Sequence, residues 1–399
     1  PEFYPNLWRV ATVERVDTTG LLIHVSGREP GSPAVMLSHY DVVPAQADVW
    51  EKPPFDGVLE NGVLWGRGTL DMKNQLCSML EAAEQLLSEG FVPRHDLYFA
   101  LSGEEEIMGP SAPAIRDLFV ERGITPAFVL DEGGDIMDGF YPGTTVPCAM
   151  VGIGEKGVAN LDFVAKCAGG HASVPYSNNP LPRLCRAMSR IGRHPFSMHF
   201  GPALEAMTDT MGRYCDFRTR LLLANRHLLR PFYFRWLRKQ GGMIEAAACT
   251  TFALTQCQGS QAGNVIPAEA SMFANLRLLW GDTQESVVRR LSQKIRDPQV
   301  EIHMRPGTDP GPDSQLGPEF EKLRSALEAT WPQAVVSPYQ MVACTDSRHW
   351  RSICDHVYRF SGKYVTGEEK STVHGNNERI RVENTENAIK FFIRLMRNC

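Results

Sequence analysis

The sequence predicts an α/β protein: a mainly parallel sheet with flanking helices, interrupted by an inserted ferredoxin-like α+β unit. Three observations point there. From Pro1 to about Ala149, short apolar runs without polar alternation, as in strands buried on both faces, take turns with segments of helical period. Three of those runs end in histidine or acidic residues, as expected where ligands gather beyond the carboxyl ends of strands in an open sheet. Near Val151-Gly152-Ile153-Gly154-Glu155-Lys156-Gly157 the texture shifts to half-exposed strands in the order β-α-β-β-α-β.

In chain order, 21–25 is strand-like and 34–37 is a buried strand that leads into Ser38-His39-Tyr40-Asp41-Val42-Val43-Pro44. A His-x-Asp spacing at a strand end can place a carboxylate on the second ring nitrogen of a metal-bound imidazole, fixing its tautomer. Alone, the tripeptide reads equally as a surface His and Asp in a turn. Asp71 follows the glycine-punctuated turn 62–68 and precedes a helix in which Leu76, Met79, Leu80, Ala83, Leu86 and Leu87 keep helical spacing and Gly90 supplies the stop. An Asp there is either a ligand or the helix N-cap. The strand 97–101 ends in Ser102-Gly103-Glu104-Glu105-Glu106, where three adjacent carboxylates repel one another unless a cation is present. A helix over 113–121 and a strand over 127–130 follow, the latter ending in Asp131-Glu132-Gly133-Gly134, and a late Val373-His374-Gly375-Asn376-Asn377-Glu378 offers one more His.

The inserted unit is expected over 155–306, with strands at 159–167, 250–255, 271–278 and 300–304 and helices at 180–191 and 284–295. Within it, 193–245 reads as an insertion rich in Leu, aromatic and Arg residues, including Arg230-Pro231-Phe232-Tyr233-Phe234-Arg235-Trp236-Leu237-Arg238. Such a stretch lies on a membrane surface, or is buried in its own protein or a dimer partner. The larger unit comprises 1–154 and 307–399, the second part beginning with a Pro- and Gly-rich linker over 306–318. A helix at 319–330, the 345–350 segment, a strand at 357–360 and a terminal helix at 383–397 complete it.

With 399 residues, 43% hydrophobic and 22% charged, the chain has the composition of a globular protein long enough for two domains. Its net charge of −5 gives no basic footprint for nucleic acid. No run of about 18 uncharged apolar residues exists for a membrane span. Ten cysteines without Cys-x-x-Cys spacing read as reduced thiols, so a cytoplasmic setting is expected. Because the chain starts at Pro1 without Met, a removed signal and a secreted or organellar setting stay open.

The motifs, taken in order, resemble a known family: His-x-Asp, Gly-x-x-Asp-Met-Lys, a Glu-Glu pair followed by Gly, Asp-Glu-Gly and a late His-Gly-x-Asn-Glu are similar to those of the two-zinc aminoacylase and carboxypeptidase family. Within it, the carboxypeptidase S and N-acyl-amino-acid hydrolase group is the nearest. The resemblance implies a zinc-dependent exopeptidase type of fold with a lid or dimerisation domain. It implies His39 and Glu132 as ligands of one zinc, Glu106 and His374 of the other, Asp71 as the bridge, Asp41 as the carboxylate behind His39 and Glu105 as general base. The family usually has Asp-Glu-Glu at this point, so the register rests on Gly109; a slip of one residue would make Glu104 the base. Cobalt or manganese are possible substitutes for the two zinc ions.

Further along, Gly169-Gly170-His171-Ala172-Ser173 resembles the loop whose His stabilises the oxyanion across a dimer. Asn264, Arg277 and Arg348 match substrate-facing positions, the last gripping an α-carboxylate, as a guanidinium can in bidentate fashion. Phe360-Ser361-Gly362-Lys363 departs from relatives, which often carry Pro there. The Pro-rich loop at 50–55 is similar to one that borders the active site, and a cis peptide after Asp71 is implied. The expected function is hydrolysis of an amide next to an amino acid with a free carboxylate, on an N-acyl amino acid or short peptide. Aminopeptidase, dipeptidase and ureido-amidohydrolase activities are the alternatives in the same family. An inactive, metal-bearing dimeric binding protein is the alternative outside catalysis, marked by loss of Glu105 or a ligand; none is lost. A homodimer through the inserted unit is expected.

Overall fold

The computed structural model describes residues 2–175 and 177–399; Pro1, from which the first unit is counted, lies outside them. Its centre is a nine-stranded sheet with strands in the order Thr12–Val16, Gly20–Val25, Leu97–Ser102, Ala34–His39, Phe128–Asp131, Val357–Arg359, Pro147–Glu155 and Val335–Met341, with Ile136–Asp138 beside Pro147–Glu155. The Ala34–His39 strand is buried at every residue because its two faces feed two cores. Ala34 and Met36 pack with Met79, Leu86 and Phe391 on one side, while Val35 and Leu37 pack with Ile115, Phe119 and Trp350 on the other. The helices Lys73–Ser88, Pro318–Thr330 and Val382–Arg397 cover the first face, and Ser111–Glu121 covers the second.

The sheet is mixed, which corrects the expectation of a mainly parallel one. Leu97–Ser102, Ala34–His39, Phe128–Asp131 and Val357–Arg359 run parallel. Gly20–Val25 joins antiparallel to Leu97–Ser102, and Pro147–Glu155 runs antiparallel to Val357–Arg359. An apolar run reports burial on both faces but carries no sign of direction, so the pattern could not separate the two cases. Four strands of this sheet had no expectation: Thr12–Val16, Ile136–Asp138, Pro147–Glu155 and Val335–Met341. Pro147–Glu155 contains Gly152 and Gly154, and Val335–Met341 contains Pro338, residues that depress strand propensity. Pro338 is tolerated because Val335–Met341 is the edge strand, where a missing N–H costs no interior ladder bond.

A separate four-stranded antiparallel sheet has the order Thr251–Gln258, Glu269–Leu278, Gly157–Lys166, Val300–Thr308. Helices Pro180–Ile191 and Gln284–Ile295 pack on it through Leu184, Val287 and Leu291, against Leu161 and Phe163. The segment 193–245 forms helices Pro202–Met211, Phe217–Ala224, Arg230–Gln240 and Gly242–Ala246. Met207, Met211, Leu223, Tyr233 and Leu237 of these helices share a core with Cys148, Met150, Tyr339 and Met341 of the nine-stranded sheet. The insertion is therefore seated on the large sheet's edge. No helix is long and apolar enough to cross a membrane among the described residues.

Candidate functional site

Three neighbouring parallel strands bring their carboxyl ends together. Ala34–His39 ends in His39, in register with Ser102 at the end of Leu97–Ser102, and Phe128–Asp131 ends one residue before Glu132. After Ser102 the chain enters a short 3-10 turn, Glu105–Ile107. Gly134 lets the turn after Glu132 close, since a Cβ there would stand 1.8 Å from the Met150 carbonyl oxygen. Asp71 arrives on the loop before Lys73–Ser88, whose N-cap position is Met72 with no side-chain cap bond, so the Asp71 carboxylate is free for other partners. His374 follows the short helix Gly367–Ser371 and takes a left-handed φ of 59°, strain of the kind that surrounding structure must impose.

The side chains form two linked sets of donors. His39 Nε2 lies 3.0 Å from Asp71 Oδ1 and 3.4 Å from Glu132 Oε1. His374 Nε2 lies 3.0 Å from Asp71 Oδ2 and 3.2 Å from Glu106 Oε2. Asp71 thus gives one oxygen to each set. On the far side of the His39 ring, Nδ1 lies 3.2 Å from Asp41 Oδ1 and 3.1 Å from the Asp41 carbonyl oxygen. The same Asp41 carboxylate accepts the backbone N–H groups of Glu105 at 3.2 Å and Glu106 at 3.1 Å. One carboxylate therefore orients the imidazole and holds the turn that presents both glutamates.

Electrostatics at this rim is dominated by burial and mutual repulsion. Burial, with the charges of Glu132 and Asp346, pushes the Glu105 carboxyl up to about 9, against the opposing pull of His39 and Arg348. Glu106 is raised by burial and by Asp71, and Glu132 by burial and by Asp71. Burial also acts to raise Asp71, but hydrogen bonds from His374 and His39 outweigh it and hold that carboxyl well below the usual range. His39 is pushed the other way: burial disfavours its protonated form, yet Asp41, Asp71 and Glu132 raise it. Asp131, fully buried next to Glu132, rises to about 7 through burial and the Glu132 and Asp346 charges. The donor atoms of His39, Glu105 and Glu132 lie within 4.8 Å of one another, as do those of His39, Asp71 and Glu106. Carboxylate and imidazole donors crowded this closely, with the Arg348 guanidinium 3.8 Å from Glu105, fit divalent cations that accept oxygen and nitrogen ligands.

Behind the donors is a support that the sequence reading did not assign. Glu378 is fully buried and accepts the backbone N–H groups of Gly68 at 3.1 Å, Leu70 at 2.7 Å and Asp71 at 3.1 Å, while Arg67 Nη1 donates to it at 2.8 Å. Arg67 Nη2 also donates to the Gly375 carbonyl at 2.7 Å, so the turns bearing Asp71 and His374 are locked to each other. Lys363, the departure noted in the sequence, is buried and donates to the Leu70 carbonyl at 2.6 Å. Its other neighbour is Asp135, at 3.5 Å, which also pairs with Lys370. Lys363 thus braces the Asp71 loop. Its signal was visible as an unexpected charge in an apolar context; that of Glu378 was its place at the end of the late His-Gly motif.

The remaining expected residues fall in different places. Glu104 turns away, its Oε2 accepting from Ser111 Oγ at 2.7 Å, so the side chain at the cluster is Glu105. Arg348 is brought in, 3.8 Å from Glu105 and 3.6 Å from Asp346. Arg277 lies on Glu269–Leu278 against Asn275 Oδ1 at 3.1 Å and Cys344 Sγ at 3.9 Å. His171 and Asn264 are neighbours across a two-stranded pair, with Ala172 N–H donating to the Asn264 carbonyl at 2.9 Å. His171 is exposed and its Nδ1 lies 2.7 Å from Ser173 Oγ; no hydrogen bond or ion pair among the described residues links it to the carboxylate cluster. The Asp71–Met72 peptide bond is cis.

A sequence profile of peptidase family M20/M25/M40 matches residues 35–398. The N-fatty-acyl-amino acid synthase/hydrolase PM20D1 of Bos taurus is 34% identical over 407 residues, covering 99% of this chain and 80% of the relative. The probable carboxypeptidase S-like 2 of Dictyostelium discoideum is 33% identical over 402 residues, covering 99% of this chain and 77% of the relative. Among solved structures, the M20 family metallo-carboxypeptidase Sso-CP2 from Sulfolobus solfataricus is similar in fold, with a TM-score of 0.71 at 17% identity over 99% of this chain and 92% of that one.

Proposed function

Because the chain belongs to peptidase family M20/M25/M40, a family of metal-dependent hydrolases, we propose that it uses two divalent cations to cleave the amide of an N-acyl amino acid with a free carboxylate. Short peptides with a free carboxyl end are substrates of the same chemistry, in keeping with the carboxypeptidase S-like relative. The observation that carries the reading is the Asp71 carboxylate, with one oxygen 3.0 Å from each of two histidines that belong to separate donor sets. His39 and Glu132 would hold one cation, His374 and Glu106 the other, and Asp71 both, with zinc the expected metal and cobalt or manganese substitutes.

Bound cations supply Lewis acidity to the scissile carbonyl and acidify the attacking water. Glu105 receives that water's proton at its carboxylate and passes it to the leaving amine nitrogen. A carboxyl raised by burial and by neighbouring anions accepts a proton readily, and cationic charge nearby brings it back into its ionised form. Arg348, beside Glu105, fixes the substrate's α-carboxylate and so its distance from the base. Arg277, on the second sheet, adds a further positive charge for the same end of the substrate. Asp41 keeps the His39 ring oriented and the Glu105–Ile107 turn in place.

The test is hydrolysis of a panel of N-acyl amino acids and Xaa-Gly dipeptides by the metal-loaded protein, after chelation, and after zinc is restored. The reading expects acyl amino acids or carboxyl-terminal residues to be released, with loss on chelation and recovery on reloading. Turnover of only amino-terminal residues or ureido substrates would select a sister activity, and turnover insensitive to chelation would end the metal mechanism.

We place the 155–306 unit as the lid and dimerisation element, with His171 of the partner subunit stabilising the oxyanion in each site. What supports this is that His171 makes no contact with its own chain's cluster among the described residues, and that Thr251–Gln258 is an exposed edge strand, an unpaired ladder that a second copy can extend. Mixing inactive His171→Ala with inactive Glu105→Gln protein should then restore activity. Random exchange makes half the dimers hybrid, each with one complete site, so roughly a quarter of wild-type activity returns. No recovery after exchange has been verified independently would remove His171 from a role in trans.

A further inference from the structure

The 193–245 segment carries nine Lys and Arg against four Asp and Glu, a net of +5 inside a chain of net −5, so the rest of the molecule carries −10. This asymmetry is matched by unusual exposure. Leu223 of Phe217–Ala224 and Tyr233 and Leu237 of Arg230–Gln240 point into one common core, so the opposite faces of both helices look outward from the same layer. On that outer side stand Phe217 at 75% exposure, Leu221 at 54% and Phe232 at 67%, and Leu228, in the turn between the two helices, is 83% exposed. Arg213, Arg218, Arg235 and Lys239 of the same segment are exposed and have no ion pair among the described residues. Isolated exposed hydrophobes are ordinary, but four within one short basic segment are not.

A second feature adjoins this face. A groove of about 1130 Å³ is lined by Arg190, Arg230, Arg290, Lys294 and Arg296, with the half-exposed Trp280 at its side. Asp282 also lines it and neutralises Arg290 at 2.8 Å, and Arg190 donates to the Ile295 carbonyl at 2.6 Å. Lys294 and Arg296 have no ion pair among the described residues. Arg230 belongs to both features: it lines the groove, begins the helix that carries Phe232, and lies over the Phe200 and Phe234 rings.

We infer that this face docks the protein on an anionic phospholipid surface, with the exposed apolar side chains entering the headgroup region and the basic groove receiving lipid phosphates. Three occupants compete, and the chemistry separates them. A small free anion would account for the groove but leaves four exposed hydrophobes unexplained. A second copy related by a two-fold axis would set the same positive patch against itself, which like-charge repulsion opposes. A basic surface studded with Leu and Phe is the pattern that lies in a lipid interface, gaining from apolar burial and from attraction to anionic headgroups together. The inference is independent of the hydrolase reading. If that reading also holds, the surface delivers the enzyme to the phase in which a long-chain acyl amino acid dissolves.

The experiment is co-sedimentation of the full chain with vesicles of phosphatidylcholine alone and of phosphatidylcholine doped with phosphatidylserine, at low and high salt. Binding to the doped vesicles should exceed binding to the neutral ones by on the order of tenfold and weaken as salt screens the headgroups. Leu228→Ser with Phe232→Ser, and separately Lys294→Glu with Arg296→Glu, should each lose most of that binding while hydrolysing a short soluble substrate at the wild-type rate. The salt series on the unaltered chain and the exposed charge variant remain informative should the apolar variant fold poorly. No preference for the doped vesicles, or equal binding by wild type and charge variant, overturns the inference. So does a fall in molecular mass of the apolar variant with vesicle binding intact, which would make the face a contact between copies, or full displacement from vesicles by inorganic phosphate alone, which would make the groove a small-anion site.

Discussion

Glu105→Gln should lower kcat by about 10²–10⁴-fold, as for a missing general base, while the protein retains its full metal content. The amide keeps the size of the carboxylate but cannot accept the proton, and no ion pair with either histidine is lost with it: His39 pairs with Asp41, Asp71 and Glu132, and His374 with Asp71 and Glu106. Arg348 keeps Asp346 as a neighbour, 3.6 Å away, so the grip proposed for it on a substrate carboxylate should survive and KM should move little. Glu106→Gln provides the contrast. Its oxygen lies 3.2 Å from His374 Nε2, among the donors themselves, so this substitution should lower metal content, and activity should be recovered in part by excess metal. Steady-state kinetics paired with elemental analysis reads both. Metal loss in the Glu105 variant with retention in the Glu106 variant would exchange their roles.

Asp71→Ala should have the other large effect, the loss of both metal ions together and of turnover to background. Each Asp71 oxygen stands 3.0 Å from a different histidine, so no substitution elsewhere removes a donor from both sets at once. The low titration of Asp71 keeps it ionised throughout the working range, which is what a shared ligand requires. His39→Ala or His374→Ala should by contrast weaken one ion more than the other. Elemental analysis of Asp71→Ala that found one ion at full occupancy would break the shared-ligand geometry into two independent sites.

Part of the proposed donor set was legible because three of its members follow apolar runs, and a run read as a buried strand tells where the chain beyond it emerges. His39, Glu106 and Glu132 follow this logic, and the order of motifs supplied Asp71 and His374. Their supports were harder to read. Glu378 and Lys363 act through backbone carbonyls and N–H groups of residues more than 290 positions away, and no local pattern encodes such a bond. Strand direction was lost for the same reason: Gly20–Val25 and Ala34–His39 both read as apolar runs, yet they flank Leu97–Ser102 in opposite senses. In 193–245 the sequence left open whether aromatic and basic residues were covered. The answer is divided by residue, with Tyr233 inside and Phe232 outside, a distinction that helical phase holds but composition does not.

The clamp formed by Glu378 also sets a timetable. Its bond to the Asp71 N–H joins residues 307 positions apart, and His374 is four residues earlier in the same turn. At ordinary rates of synthesis that interval lasts roughly 15–60 s, during which the earlier half of the centre exists on the ribosome without its partner. Through that time the chain holds His39, Asp71, Glu106 and Glu132, with one of the two histidines and without the brace on the Asp71 loop. The proposed set of donors is therefore completed only by the last turn of the chain, after every strand of the large sheet has been synthesised.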